Sequence, residues 1–205
     1  MKAAVHLMDI RRVAQNIRDV RSKISAAYPK RARRIERLAR EEDRLRSLAA
    51  NLLLYETLGA SEILYGARGK PYVTGGPHFS LSHSGDYAML AVDDEPVGVD
   101  IEKWIEDDYL ALARVSFHER ERAVFERAPS AKTFFDTWTL KESYVKMLGT
   151  GLSTELRSFC VKIDGDRACT DSDVKACFRL YRLEGYSVAL CSPHSHWPEK
   201  LNVLE

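Results

Sequence analysis

The sequence predicts an α+β fold built from two similar halves, and three observations carry that expectation. Helical and strand patterns lie beside one another in both halves of the 205 residues, without the strict alternation of a parallel sheet. The composition, 45% hydrophobic and 30% charged, is that of a globular chain able to bury a sizeable core. The halves also echo each other: NLLLYETLG at 51–59 resembles KESYVKMLG at 141–149, and GDYAMLAV at 85–92 resembles GYSVALC at 185–191. Helix ends and strands of similar composition produce such an echo as readily as a repeat does. Read as a repeat, it implies halves at 1–98 and 99–205, related by an approximate internal two-fold with a site between them.

Taken in order, residues 3–9 alternate weakly and predict a short strand. The run KRARRIERLAREEDRLR at 30–46 is densely basic with acids interleaved, and Leu38, Leu45, Leu48, Leu52 and Tyr55 recur at helical spacing. That pattern predicts one amphipathic helix ending at Gly59, its charges a solvated face of i,i+4 pairs from which one or two arginines could still reach a phosphate. Residues 66–76 are a turn-rich connector. Strands follow at 79–82, 87–92 and 97–102, joined by the turns His83-Ser84-Gly85 and DDEP. Helices are expected at 120–127 and at 133–148, the second ending at Gly149, then a strand at 159–163 and a hairpin in FRLYRLEGYSVALC.

Several function classes are weakened at once. Lys and Arg number 31 against 30 Asp and Glu, a net charge of +1, which argues against a dedicated nucleic-acid binder. No apolar run is long enough to span a bilayer, and MKAAVHLMDI lacks the features of a secretion signal. Cys160, Cys169, Cys177 and Cys191 form no C-x-x-C and read as small core residues in a reducing, cytoplasmic setting. The pair His194 and His196 supplies two ligands at most and falls in a polar tail expected to be solvated, while Trp104 is expected to pack.

The chemistry concentrates in three segments. In Val97-Gly98-Val99-Asp100-Ile101-Glu102 alternate residues face opposite sides, so the apolar three point to the core while Gly98, Asp100 and Glu102 share the other face. Adjacent carboxylates repel unless a cation lies between them, and hard oxygen donors suit Mg²⁺ or Mn²⁺. A D-x-E on a strand face serves solubility just as well. On the helix, Trp138, Glu142 and Lys146 form one stripe at i, i+4 and i+8, which fits either a surface ion pair or a metal ligand beside a phosphate-binding ammonium, and GTGLS follows directly. Ser82 and His83 in SLSHSG can donate to a phosphate. They do not form a hydrolase pair, because strand neighbours point to opposite sides and there is no G-x-S-x-G elbow.

The ordered set GKP (69–71), FSLSHSG (79–85), VGVDIE (97–102), Glu121 and WTLKESYVKMLGTGLS (138–153) resembles the 4′-phosphopantetheinyl transferases, most closely those of the surfactin-synthetase-activating type. The resemblance spans about half the chain and is looser through the basic helix. It implies the transferase fold of two related α+β halves and transfer of the phosphopantetheine arm of coenzyme A to a serine of an apo acyl or peptidyl carrier protein, releasing 3′,5′-ADP. By the same resemblance Asp100, Glu102 and Glu142 match the metal-binding acids, for Mg²⁺ or Mn²⁺. Ser82 and His83 match contacts to the 3′-phosphate region of coenzyme A, Lys70 a residue near the nucleotide, and Lys146 one near the pyrophosphate. Arg31 and Arg34 fall among basic residues that meet the 3′-phosphate, Ser47 near the adenine, and Glu121 is the candidate general base, so that Glu121, Lys146 and Glu142 form the expected catalytic set. A monomer without nucleic-acid or membrane partners is expected. The competing readings are a Mg²⁺-dependent pyrophosphate-cleaving enzyme with water as acceptor, and a non-catalytic binding protein using the basic helix.

Overall fold

The computed structural model describes residues 3–204, the side chain of Leu152 apart. The chain opens with β1 (Ala4–Asp9) and then runs through α1 (Ile10–Gln15), α2 (Ile17–Ala27), α3 (Pro29–Glu36) and α4 (Glu41–Leu58). The short strands β2 (Leu64–Tyr65) and β3 (Pro71–Tyr72) precede β4 (His78–Ser84), β5 (Tyr87–Asp93) and β6 (Gly98–Lys103). Next come α5 (Tyr109–Ser116), α6 (Glu119–Phe125) and α7 (Ala131–Leu148), and then β7 (Val161–Asp164), β8 (Arg167–Thr170), β9 (Cys177–Leu183), β10 (Tyr186–Ser192) and β11 (Asn202–Leu204).

Two main sheets result, ordered β11-β1-β5-β4 and β6-β10-β9-β8-β7. They stack face to face. Val5, Leu7, Met89 and Ala91 of the first pack on Val99, Ile101, Val188 and Leu190 of the second. The other face of the first sheet, with Met8, Ala88, Leu90 and Val92, lies under Leu53, Leu54 and their neighbours in the N-terminal helices. The other face of the second, with Phe178, Ala189 and Cys191, lies under Leu140, Tyr144 and Met147 of α7. Helices, sheet, sheet and helix make four layers, which is why β5 and β10 are apolar along nearly their whole length: both of their faces are covered.

The connectivity repeats. In each part a strand leads through helices to a hairpin whose second strand pairs antiparallel with the first: β1 with β5, and β6 with β10. The two echoing sequence pairs fall on corresponding elements, the ends of α4 and α7 and the strands β5 and β10. The division expected after residue 98 falls at the start of β6, and β11, near the chain's end, runs parallel to β1 in the first sheet.

Three expectations are corrected. The single basic helix is two: α3 stops at Glu36 and α4 begins at Glu41, with Arg40 in extended backbone between them. Glu41, Glu42 and Asp43 in the first turn of α4 suit its positive end, so the acids interleaved in the basic run mark a new start rather than a continuing face. The tail at 193–198 is not merely solvated, since His194 Nε2 lies 2.9 Å from Asp93 Oδ2 and Trp197 packs on the inter-sheet core. Of the cysteines only Cys191 is fully buried, and Cys169 is exposed. Trp104 packs as expected, against the aromatic cluster of α5, α6 and α7. Among the described residues no helix is long and apolar enough to cross a membrane.

Candidate active site

The site begins with Gly98. A Cβ there would stand 1.9 Å from the Ser143 carbonyl oxygen and 2.5 Å from the Met147 nitrogen, so a side chain is excluded and α7 lies directly on β6. The space beside this strand position is filled by the helix, not by a ligand. From Phe134 to Met147 every residue of α7 is buried except Trp138, Glu142 and Lys146, the i, i+4, i+8 stripe. That stripe opens onto Asp100 and Glu102, which project from β6 on the same side as Gly98.

On the opposite flank β6 meets β4 through hydroxyls instead of a backbone ladder. Ser80, Ser82 and Ser84 accept the N–H groups of Val99, Ile101 and Lys103 at 3.1, 3.3 and 3.1 Å. Two of these serines also donate to the acids, Ser82 to Asp100 at 2.7 Å and Ser84 to Glu102 at 2.8 Å. Alternation along β4 therefore positions both carboxylates. Lys146 completes the network, its Nζ lying 2.6 Å from Asp100 Oδ1 and 3.0 Å from Ser82 Oγ.

The electrostatics are those of crowded acids. Burial, followed by the Asp100 charge, pushes Glu102 up to about 7, and the same two causes in the same order raise Glu142. The Oδ2 atom of Asp100 is buried without a hydrogen-bond partner. An acceptor left bare in a polar pocket is costly unless a cation meets it. No three His, Cys, Asp or Glu side chains among the described residues converge as a ligand set, and Lys146 holds one oxygen of Asp100. The donor chemistry nevertheless fits a hard divalent cation: Asp100, Glu102 and Glu142 line one pocket of about 360 Å³, and one of its oxygens has no partner.

That pocket joins a larger cleft of about 830 Å³ between the N-terminal helices and α7. Arg31 and Arg34 of α3 form its basic wall, each guanidinium within 6 Å of the Tyr65 ring, at 5.9 and 5.8 Å. Arg31 also bonds Asn51 Oδ1 and, at 2.7 Å, the Tyr65 hydroxyl. Ser47 lines both compartments, as do Trp138, Glu142 and Lys146, while Gly149 and Gly151 close the far end. His83 lines the smaller pocket; the protein packed around its ring, and then the Lys146 cation, hold its imidazole below the ordinary value although the residue keeps an open edge. A basic wall facing an acidic floor suits a ligand carrying several phosphates, one end on arginines and the other near a cation.

Comparison with known proteins bears on the same residues. Residues 96–191 match the model of the 4′-phosphopantetheinyl transferase superfamily. A 4′-phosphopantetheinyl transferase of Bacillus subtilis is 31% identical over 189 residues, 83% of this chain and 84% of that one. The chain belongs to the 4′-phosphopantetheinyl transferase superfamily. The transferase Sfp of Bacillus subtilis (strain 168) is 29% identical over 199 residues, 88% of either chain, and psf-1 of Bacillus pumilus is 33% identical over 168 residues, 77% of this chain and 68% of its own.

Not every expected residue of this phosphopantetheinyl transferase reaches the cleft. Glu121 is 8% exposed and is absent from both compartments. Its Oε1 accepts from Lys141 Nζ at 2.8 Å and Val161 N at 2.6 Å, and its Oε2 accepts from His118 N at 2.8 Å in the capping box of α6. Glu121 is thus the anion of a buried pair with Lys141, whose own value burial lowers against the pull of Glu121, and it is not placed to act as a base. Lys70 lines the cleft with its stem, but its Nζ is bound to Val97 O at 3.1 Å and Met147 O at 2.9 Å. It ties the β2–β3 segment to the negative end of α7 and so fixes this segment as part of the cleft wall. Asn51, Tyr65 and Arg68 line the transferase cleft without having been singled out in the sequence. Asn51 heads the apolar run NLLLY, a polar residue where the helix pattern calls for burial, and the structure leaves it 4% exposed.

Proposed function

We propose that this transferase moves the 4′-phosphopantetheine arm of coenzyme A to a serine hydroxyl of an apo acyl or peptidyl carrier protein, with Mg²⁺ or Mn²⁺ held by Asp100, Glu102 and Glu142. The observation that carries the reading is the open stripe of α7 facing the two β6 carboxylates at the point where the acidic pocket joins the basic cleft. A divalent cation bound there supplies charge neutralisation at the diphosphate. Lys146, released from Asp100, neutralises charge growing on the departing phosphate. Arg31 and Arg34 hold the distal phosphate of the donor, with Ser47, Ser82 and His83 as further contacts. Glu142, which lines both compartments, is the acceptor for the proton of the incoming serine. The nucleophile arrives on the partner, so the cleft needs to align it and not to activate a residue of its own.

We place the two halves of this reading at 1–98 and 99–205, related by an approximate two-fold, with the donor between them. A monomer acting in the cytoplasm, without nucleic-acid or membrane partners, completes the proposal. Its support is the repeated strand–helix–hairpin connectivity.

The test is to incubate the full chain with coenzyme A, Mg²⁺ and apo carriers from fatty-acid, polyketide and nonribosomal-peptide systems, then weigh each carrier. The expected result is a phosphopantetheine-sized mass gain on at least one of them, lost on chelation. No gain on any carrier overturns the proposal, and release of 3′,5′-ADP without a carrier transfers it to the hydrolytic reading.

A further inference from the structure

At the far side of the second sheet, β8 and β9 run antiparallel with Cys169 directly opposite Cys177, the last pair before the chain leaves the sheet at 171–176. The Leu180 N–H donates to Asp166 O at 2.8 Å, which makes 166 and 180 a hydrogen-bonded pair. Such pairs alternate along an antiparallel ladder. Positions 168 and 178 are therefore hydrogen-bonded, and 169 and 177 form a non-hydrogen-bonded pair. In that arrangement Cα atoms lie about 4.5 Å apart and side chains approach most closely. A disulfide asks for a Cα separation of about 4.4–6.8 Å, so the backbone already meets its requirement.

The two thiols share one face of the sheet, opposite to Ala168 and Phe178, which pack under α7. Cys169 is exposed and Cys177 half-buried, and both are free. The other cysteines are poor competitors. Cys191 is fully buried against Met147 on the α7 face, and Cys160 lies outside the β8–β9 pairing, its N–H on Asp171 at 2.8 Å. We propose that Cys169 and Cys177 are a reversible dithiol–disulfide site that closes the 171–176 loop when a small-molecule disulfide is in excess.

The exchange balances without any further reagent. The exposed Cys169 thiolate attacks one sulfur of the small disulfide and expels one thiol, leaving a mixed disulfide. The Cys177 thiolate then attacks the Cys169 sulfur and expels the second thiol. The protein loses two electrons and two protons, and the small disulfide takes up both as two thiols. The loop so closed braces the back of α7: the Tyr144 hydroxyl lies 2.8 Å from Ser172 Oγ and 2.9 Å from Val174 O, on the side of the helix away from the cleft. The bond adds stability behind the site and leaves the cleft residues untouched, so the inference stands independently of the proposed reaction.

The test equilibrates the full chain with increasing oxidised glutathione, blocks remaining thiols by alkylation and measures intact mass, a tryptic map and Tm. Cleavage after Arg167, Lys175 and Arg179 puts the two cysteines on separate peptides, 168–175 and 176–179. The expected result is those peptides joined, with two fewer hydrogens in the protein. A short closed loop also predicts a rise in Tm of about 5–10 °C that dithiothreitol reverses. Cys169→Ser and Cys177→Ser should each abolish both effects, and Cys160→Ser neither. Glutathione adducts that never resolve, a bridge to Cys160, or a bridge without a rise in Tm would overturn the proposal.

Discussion

Glu121 and Glu142 stand 21 positions apart and were both expected to serve the reaction, yet their surroundings assign them opposite jobs. Glu121 has three donors on its two oxygens, one of them the buried Lys141 ammonium. Removing one member of such a pair leaves the other charged and unpaired, at about 3–5 kcal/mol. Glu121→Gln should therefore lower the urea midpoint strongly, while transfer per folded molecule changes by no more than a few-fold. Glu142→Ala should do the reverse, with the midpoint held and kcat/KM for carrier loading down by about 10²-fold or more. Paired denaturation and kinetic measurements separate the two; a Glu121→Gln enzyme that is stable but inactive would restore it as a base.

Lys70 makes a residue-scale prediction in pH. Burial lowers it from the ordinary 10.5 to about 8. Between those values the unfolded chain carries the proton and the folded chain does not, so stability from this group rises with pH across the window. Urea midpoints of the wild type and Lys70→Met, compared from pH 7.5 to 10, should diverge in favour of the wild type as pH increases. Parallel curves would sink the assignment. The sequence made Glu142 legible because an i, i+4, i+8 stripe needs only one helix to be recognised. It left the partners of Glu121 and Lys70 unread, because Lys141, Val161 and Met147 are brought to them by tertiary packing that no local spacing encodes.

Among the elements, α7 and β6 decide the geometry of the site, and Gly98 decides the distance between them. Replacing it by alanine drives a methyl into the Ser143 carbonyl and the Met147 nitrogen, backbone atoms that cannot rotate away. Gly98→Ala should destabilise by at least the roughly 1–3 kcal/mol of ordinary overpacking, measured by urea denaturation, and should lower donor affinity because Glu142 and Lys146 move with the helix. A fully stable variant with native affinity would show that α7 can shift freely. Strands and their faces were readable here: Val97, Val99 and Ile101 point to the core and the acids to the other side, as period-two alternation requires. The break at 37–40 was not, because Leu38, Leu45, Leu48 and Leu52 keep helical spacing across it and no glycine or proline marks the stop. The segments α1 and α2 went unread, their buried Val13, Val20 and Ile24 being sparse among charged neighbours.

For the whole molecule, the cleft is walled by α3 and α4 on one side and α7 on the other, so a ligand filling it bridges the outer helical layers of both sheets. Binding to the folded state alone at 100 times Kd adds about 2.7 kcal/mol, which for a chain of this size is a Tm rise of about 5–10 °C. Coenzyme A with Mg²⁺ should produce a shift of that order in a thermal melt, and coenzyme A with chelator a smaller one. Equal shifts in the two arms would separate donor binding from the acids. The four-layer stack was only partly legible in the sequence. The strand at 87–92 and the hairpin in FRLYRLEGYSVALC were read from their local patterns, but that both faces of β5 and β10 are covered, and by which layer, follows from long-range pairing.

The serine join between β4 and β6 has a consequence for how the molecule breathes. Backbone ladders protect amides cooperatively, whereas each of Val99, Ile101 and Lys103 is held by a single hydroxyl. Their amide protons should exchange with deuterium faster than those of Asp100 and Glu102, which face β10, and should slow together when donor and cation occupy the cleft. Three alternate amides on one strand thus form a built-in reporter, readable by NMR without any label on the ligand, of the moment at which the two sheets part.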